Sequence, residues 1–178
     1  QLTYGSPVLA LDDSNSFSKY ILCEQNTAHA DALRVRINKY YRHKNVVVFN
    51  GNPNSMIDRL EYYIPESSRN HKVSTLCLID PFSFDIEFET IKVLADLEVN
   101  FLIILSFTWT EKDAYKYCLN EERELLNRFL GKPLAELEKE NQIQNNEIFF
   151  RSLVKSFHQQ IQNLGYLSKG SFYKMEDS

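Results

Sequence analysis

Four short, unbroken apolar runs constrain this chain more than any other feature: residues 20–24, 46–50, 74–80 and 100–107. A strand with one wet face alternates apolar and polar residues, because successive side chains point to opposite faces. These runs do not alternate. Continuous apolar runs of this length fit strands covered on both faces, as in parallel sheets flanked by helices.

Between the runs lie patterns of helical period. Ala30, Leu33, Ile37 and Tyr40 or Tyr41 recur at helical spacing behind a cap at Asn26 or Thr27. Phe88, Ile91 and Ala95 share one face of residues 87–98. Thr110 and Asp113 have the spacing of a capping box, with Asp in place of Glu, and open a helix carrying Cys118, Leu125 and Phe129 on one side. Gly131 and Pro133 end that helix and start another, and the polar run 138–147 reads as a helix end and a loop. Phe150, Val154, Phe157, Ile161 and Leu164 form the stripe of a last helix, which Gly165 stops. Strand and helix in strict alternation predict βαβ crossovers, hence an α/β fold with a doubly wound, mostly parallel sheet.

With 178 residues and 43% hydrophobic composition, the chain supports one packed core and is short for two, so the expected organisation is a single domain over residues 1–178. A net charge of −4 exerts no global pull on nucleic acid or anionic membrane. The basic residues Arg34, Arg36, Lys39, Arg42, His43 and Lys44 read as a solvated helix face in preference to a nucleic-acid patch. No apolar run approaches the ~18 residues of a membrane span. No basic-then-apolar leader opens the sequence. The cysteines, Cys23, Cys77 and Cys118, are odd in number and widely spaced, which argues for a reducing, cytoplasmic setting. Cys23 and Cys77 sit in apolar runs and read as small core residues. His29, His43, His71 and His158 show no metal-ligand spacing, so no metal site is expected.

In doubly wound sheets ligands bind beyond the carboxyl ends of the strands, so the residues just after each run carry the functional expectation. Glu24 follows the first run; such a carboxylate accepts ribose hydroxyls or sits near the positive end of the next helix. Asn50-Gly51-Asn52-Pro53-Asn54 follows the second, and Asn52 either reads an adenine edge or belongs to an ordinary turn. Asp80-Pro81-Phe82-Ser83-Phe84 follows the third and is the most specific feature. Here a carboxylate, a rigid proline and an aromatic ring make a platform on which a planar base stacks while an amino group meets the acid. The competing reading is an Asp-Pro turn with Phe82 and Phe84 in the core. Trp109 follows the fourth run and reads as a pocket wall or as core.

Taken in order, these residues resemble a known family. Gly5-Ser6-Pro7-Val8-Leu9-Ala10-Leu11, the acidic-ended run 20–24, Leu78-Ile79-Asp80-Pro81-Phe82 and Phe88-Glu89-Thr90-Ile91 are similar to segments of the three-Cys-motif partner proteins. The likeness covers roughly residues 4 to 110 and continues loosely through Phe129-Leu130-Gly131 and the last helix. That family resembles class I methyltransferases, so the resemblance implies a Rossmann-like methyltransferase fold and S-adenosylmethionine as cofactor. It also implies roles: Glu24 on the cofactor ribose, Asn52 near the adenine, and Asp80, Pro81 and Phe82 facing the reacting methyl. The Asp-Pro-Phe stretch is further similar to the Asp-Pro-Pro-aromatic loop of methyltransferases that modify base amino groups, without the second proline.

One element of the family pattern is missing. The strand and glycine-rich loop that cradle the methionine part of the cofactor do not precede Gly5, and Gly5, Gly51, Gly131, Gly165 and Gly170 form no such loop. The chain therefore reads as a piece of a longer protein or as a relative that has lost cofactor binding, and alone it is expected to be inactive. Two functions follow. The parent protein transfers a methyl group to an amino group, of a nucleic-acid base or similar; alternatively, a non-catalytic protein keeps the fold to bind a protein partner. A metal-dependent reading built on Glu24 and Asp80 lacks a second carboxylate pair.

Overall fold

The computed structural model describes residues 5–13, 17–81, 84–107 and 114–167. It shows a mixed α/β protein with parallel strand pairs, and its chain divides into two compact units, Gln1–Pro65 and Glu66–Ser178. None of the described helices is long and apolar enough to cross a membrane.

The first unit runs α1 (Ser6–Asp12), β1 (Tyr20–Glu24), α2 (Thr27–Tyr40), β2 (Val46–Asn50) and α3 (Pro53–Glu61). Strands β1 and β2 pair in parallel from Tyr20↔Val46 to Glu24↔Asn50. Both strands have the bounds expected from their apolar runs. Parallel neighbours need a crossover, and α2 supplies it. Its cap is Asn26, whose side chain accepts from the His29 N–H. Leu33 and Ile37 of α2 and Leu11 of α1 pack with Tyr20, Leu22, Val46 and Val48, which lie on one face of the pair. On the opposite face Phe49 is buried, meeting the Tyr63 ring edge-on at 4.9 Å and the Arg59 guanidinium at 5.8 Å. Helix α3 has no counterpart in the expected elements; Met56, Ile57 and Leu60 form its buried side.

The basic run has a structural part. The Lys44 ammonium donates to the Leu11 carbonyl at the end of α1 and lies over the Tyr20 ring. A cation there meets the negative end of the helix. Arg34 pairs with Asp31 and donates to the Val48 carbonyl at 3.2 Å, tying α2 to β2.

The second unit runs β3 (Leu76–Ile79), α4 (Phe88–Asp96), β4 (Asn100–Ile103), α5 (Ala114–Asn120), α6 (Arg123–Leu130), α7 (Leu134–Glu140) and α8 (Asn146–Asn163). Strands β3 and β4 are parallel, from Leu76↔Asn100 to Ile79↔Ile103, with α4 as the crossover. Both are shorter than their apolar runs. The expected long helix over Cys118, Leu125 and Phe129 is broken into α5 and α6; the start proposed at Thr110 and Asp113 lies outside the described residues. Gly131, at φ 65, ends α6 as the sequence predicts.

Ile79 and, around it, Phe84, Phe88, Leu126, Phe129, Leu130, Phe149, Leu153 and Phe157 make the second core, with Cys77, Phe101 and Ile103 against it. The rings of Phe129 and Phe157 stack at 4.6 Å. Polar side chains bind the helices to one another: Asn127 accepts from the Leu134 N–H at 2.7 Å, and Arg123 forms a two-pronged ion pair with Glu138.

On the other face of the β3–β4 pair the described side chains are about half-exposed. Leu76, Leu78, Leu102 and Ile104 are 48%, 41%, 51% and 43% exposed. Within this unit, alternate residues of the two apolar runs reach the core.

Two turns give a stability prediction of opposite signs. Glu98, just past α4, holds φ 55, a left-handed conformation that a side chain disfavours. Glu98→Gly is expected to raise unfolding stability by about 0.5–1 kcal/mol. Gly131 shares the left-handed region, and a Cβ there would lie 2.6 Å from the Phe88 ring. Gly131→Ala is expected to cost roughly 1–3 kcal/mol. Urea titration of both variants tests the pair, and a stabilised Gly131→Ala would refute this account of the turn.

Candidate functional site

In the first unit the parallel register sets the ends of β1 and β2 side by side, Glu24 opposite Asn50. The loops beyond them carry the candidate residues. Oε1 of Glu24 accepts the Asn26 N–H at 2.8 Å. That places a carboxylate at the positive end of α2, where it is favoured. No partner among the described residues holds its second oxygen. Glu24 thus performs the helix-end task and still presents an acceptor.

Asn52 caps α3. Its Oδ1 accepts the Asn54 N–H at 2.9 Å, while its carbonyl accepts from the Ser55 hydroxyl at 3.0 Å. The side-chain amide nitrogen has no partner among the described residues. Of the two groups a bidentate contact to adenine would use, the donor is unengaged and the acceptor already serves the helix. Gly51 lies close to α3: a Cβ there would stand 2.4 Å from the Met56 sulfur, so a side chain would need Met56 to move.

One residue at this edge escaped the sequence reading. Asn50 donates its amide to the carbonyls of Glu24 at 3.0 Å and Gln25 at 3.2 Å, beside the Gly51 N–H, which also reaches the Glu24 carbonyl at 3.0 Å. An Asn at the last position of a strand is the available signal, since its short amide reaches neighbouring backbone.

Asp80 belongs to the second unit, exposed just beyond β3, with Pro81 half-buried after it. Phe82 and Ser83 lie outside the described residues, as does Trp109. Phe84 is core: 3% exposed, with its ring 5.0 Å from Phe107 and 5.3 Å from Phe129. The Phe84 half of the core reading therefore holds. Glu24 and Asn52 share one strand-end edge, and Asp80 ends a strand of the other pair.

The thiols correct the expectation for cysteine. Cys23 is exposed, Cys77 is half-buried against the second core, and Cys118 is buried. Although the Cys23 residue reaches the surface, desolvation around its sulfur pushes its pKa up to about 11. Cys118 is also pushed up to about 11, chiefly by desolvation and then by the Glu122 carboxylate beside it. Among the described residues, no group of three or more His, Cys, Asp or Glu side chains is placed to hold a metal ion.

A thiol with a pKa about three units above the buffer pH is roughly one part in a thousand thiolate, and the thiolate is the reactive form. At pH 8 both Cys23 and Cys118 are expected to alkylate with iodoacetamide much more slowly than the same peptides in urea. Peptide mapping by mass spectrometry measures this. Rapid labelling of native Cys23 would show that its sulfur is solvated.

The chain has no match among protein-family models, curated proteins or solved structures.

Proposed function

We propose that the chain is a methyltransferase-like domain of the three-Cys-motif partner type, with a doubly wound, Rossmann-like sheet as its architecture. Glu24 and Asn52 contact the nucleoside part of S-adenosylmethionine, and Asp80, Pro81 and Phe82 belong to the handling of an acceptor amino group. The observation that carries the reading is the Glu24 carboxylate at the carboxyl end of a parallel strand: the Asn26 N–H holds Oε1, and no partner among the described residues engages the other oxygen. Ligands of open α/β sheets bind at such ends, where a fixed carboxylate accepts ribose hydroxyls. The parallel pairing of β1 with β2 and of β3 with β4, each through a helix, supports the architecture.

A specific observation favours the second reading, a non-catalytic protein that retains the fold to bind a protein partner. The four half-exposed side chains Leu76, Leu78, Leu102 and Ile104 form an apolar face of the kind that association covers.

Adenosine and S-adenosylmethionine separate these readings. By NMR titration, adenosine is expected to shift the Glu24, Asn26 and Asn52 amides with a Kd of about 1 mM or weaker, and Glu24→Ala to abolish the shifts. S-adenosylmethionine is expected to bind little better, for want of a cradle for its tail. Failure of both compounds to shift these amides would leave the non-catalytic reading. Micromolar binding of S-adenosylmethionine would instead refute the argument from the missing loop.

A further inference from the structure

We infer that Asn50 is the positioning residue of this edge, acting through the peptide that joins Gln25 to Asn26. The Gln25 carbonyl and the Asn26 N–H belong to one rigid plane. Asn50 donates to the oxygen of that plane at 3.2 Å, and the Glu24 carboxylate accepts from its nitrogen at 2.8 Å. The plane is therefore held from both sides. The β1–β2 ladder fixes the Glu24 carbonyl through the Gly51 N–H, but it ends there. Among the described residues, Asn50 alone carries the restraint one residue further, to the peptide that aims its N–H at Glu24. Without that donor the plane is free to rotate, the N–H leaves the carboxylate, and Glu24 loses the orientation that leaves its second oxygen available. Asn50 thus controls Glu24 without touching what Glu24 binds.

The nucleoside arm of the test rests on the proposed function, and the backbone arm does not. Two variants are compared: Asn50→Ala, which removes the amide, and Asn50→Asp, which keeps the shape but has no donor. In both, the Asn26 amide should exchange with solvent roughly fivefold to tenfold faster, the loss of about one hydrogen bond. The amides within α2 should keep their protection. Asn26 exchange unchanged in both variants overturns the proposal, as does an equal acceleration along the whole of α2. The second measurement is the preference for adenosine over 2′,3′-dideoxyadenosine, which lacks the hydroxyls a carboxylate accepts. The wild-type preference should collapse toward unity in both variants while binding of the dideoxy compound persists; a preference that survives in both variants overturns the role of Asn50 toward Glu24. Faster Asn26 exchange with no adenosine binding by the wild type would uphold the positioning and remove the nucleoside reading.

Discussion

Two neighbouring strands that run the same way cannot be joined by a tight turn; the chain must travel back along the sheet before starting the second one. Both pairs in this protein obey that constraint, β1 to β2 through α2 and β3 to β4 through α4. The return path has to be a helix with one apolar side, because it crosses an apolar strand face. It also forces both strands of a pair to end at the same edge. The polar loops that follow β1 and β2 are neighbours for that reason, with Glu24 opposite Asn50.

The cores then show how differently the two pairs are supported. Helices α1 and α2 cover one face of β1–β2 with Leu11, Leu33 and Ile37, and Lys44 fastens the end of α1 to the sheet through the Leu11 carbonyl. In the second unit an aromatic cluster takes over: Phe84, Phe129, Phe150 and Phe157 fill the space between the strand pair and helices α6 and α8. Stacked and edge-on rings at such distances add directional preference to area burial.

At the strand ends the polar side chains serve the backbone first. Glu24 accepts from Asn26, Asn26 from His29, Asn52 from Asn54, and Asn50 donates across the pair. The first turn of a helix leaves N–H groups without intrahelical partners, and short polar side chains are what satisfies them. Such a role does not exclude a ligand. A carboxylate has more acceptor capacity than one N–H consumes, and an amide whose oxygen caps a helix still has its nitrogen to donate. The functional reading depends on this residual capacity.

Much of the architecture was legible from local pattern alone. The runs at Tyr20–Glu24 and Val46–Asn50, the cap at Asn26, the stop at Gly131 and the stripe along α8 each depend on residues close together in the chain. Backbone sterics and hydrogen bonding act at that range. What local pattern could not reveal was where each side chain finds its neighbours. The continuous apolar run of β3 does not say which of its residues meet the helices far along the sequence: Ile79 is buried, while Leu76 and Leu78 are half-exposed. Cys23 and Phe84 show the same limit in opposite directions: one apolar-run residue lies exposed, and one loop aromatic lies in the core. The role of Asn50 is the clearest case. Its partners Glu24 and Gln25 lie more than a helix away in sequence, and only the parallel register brings them within reach. Sequence determined which segments become strands and helices, because that choice is settled by short-range backbone physics. The tertiary structure decided which polar groups are spent and which remain available, because a hydrogen bond exists only where two distant segments meet.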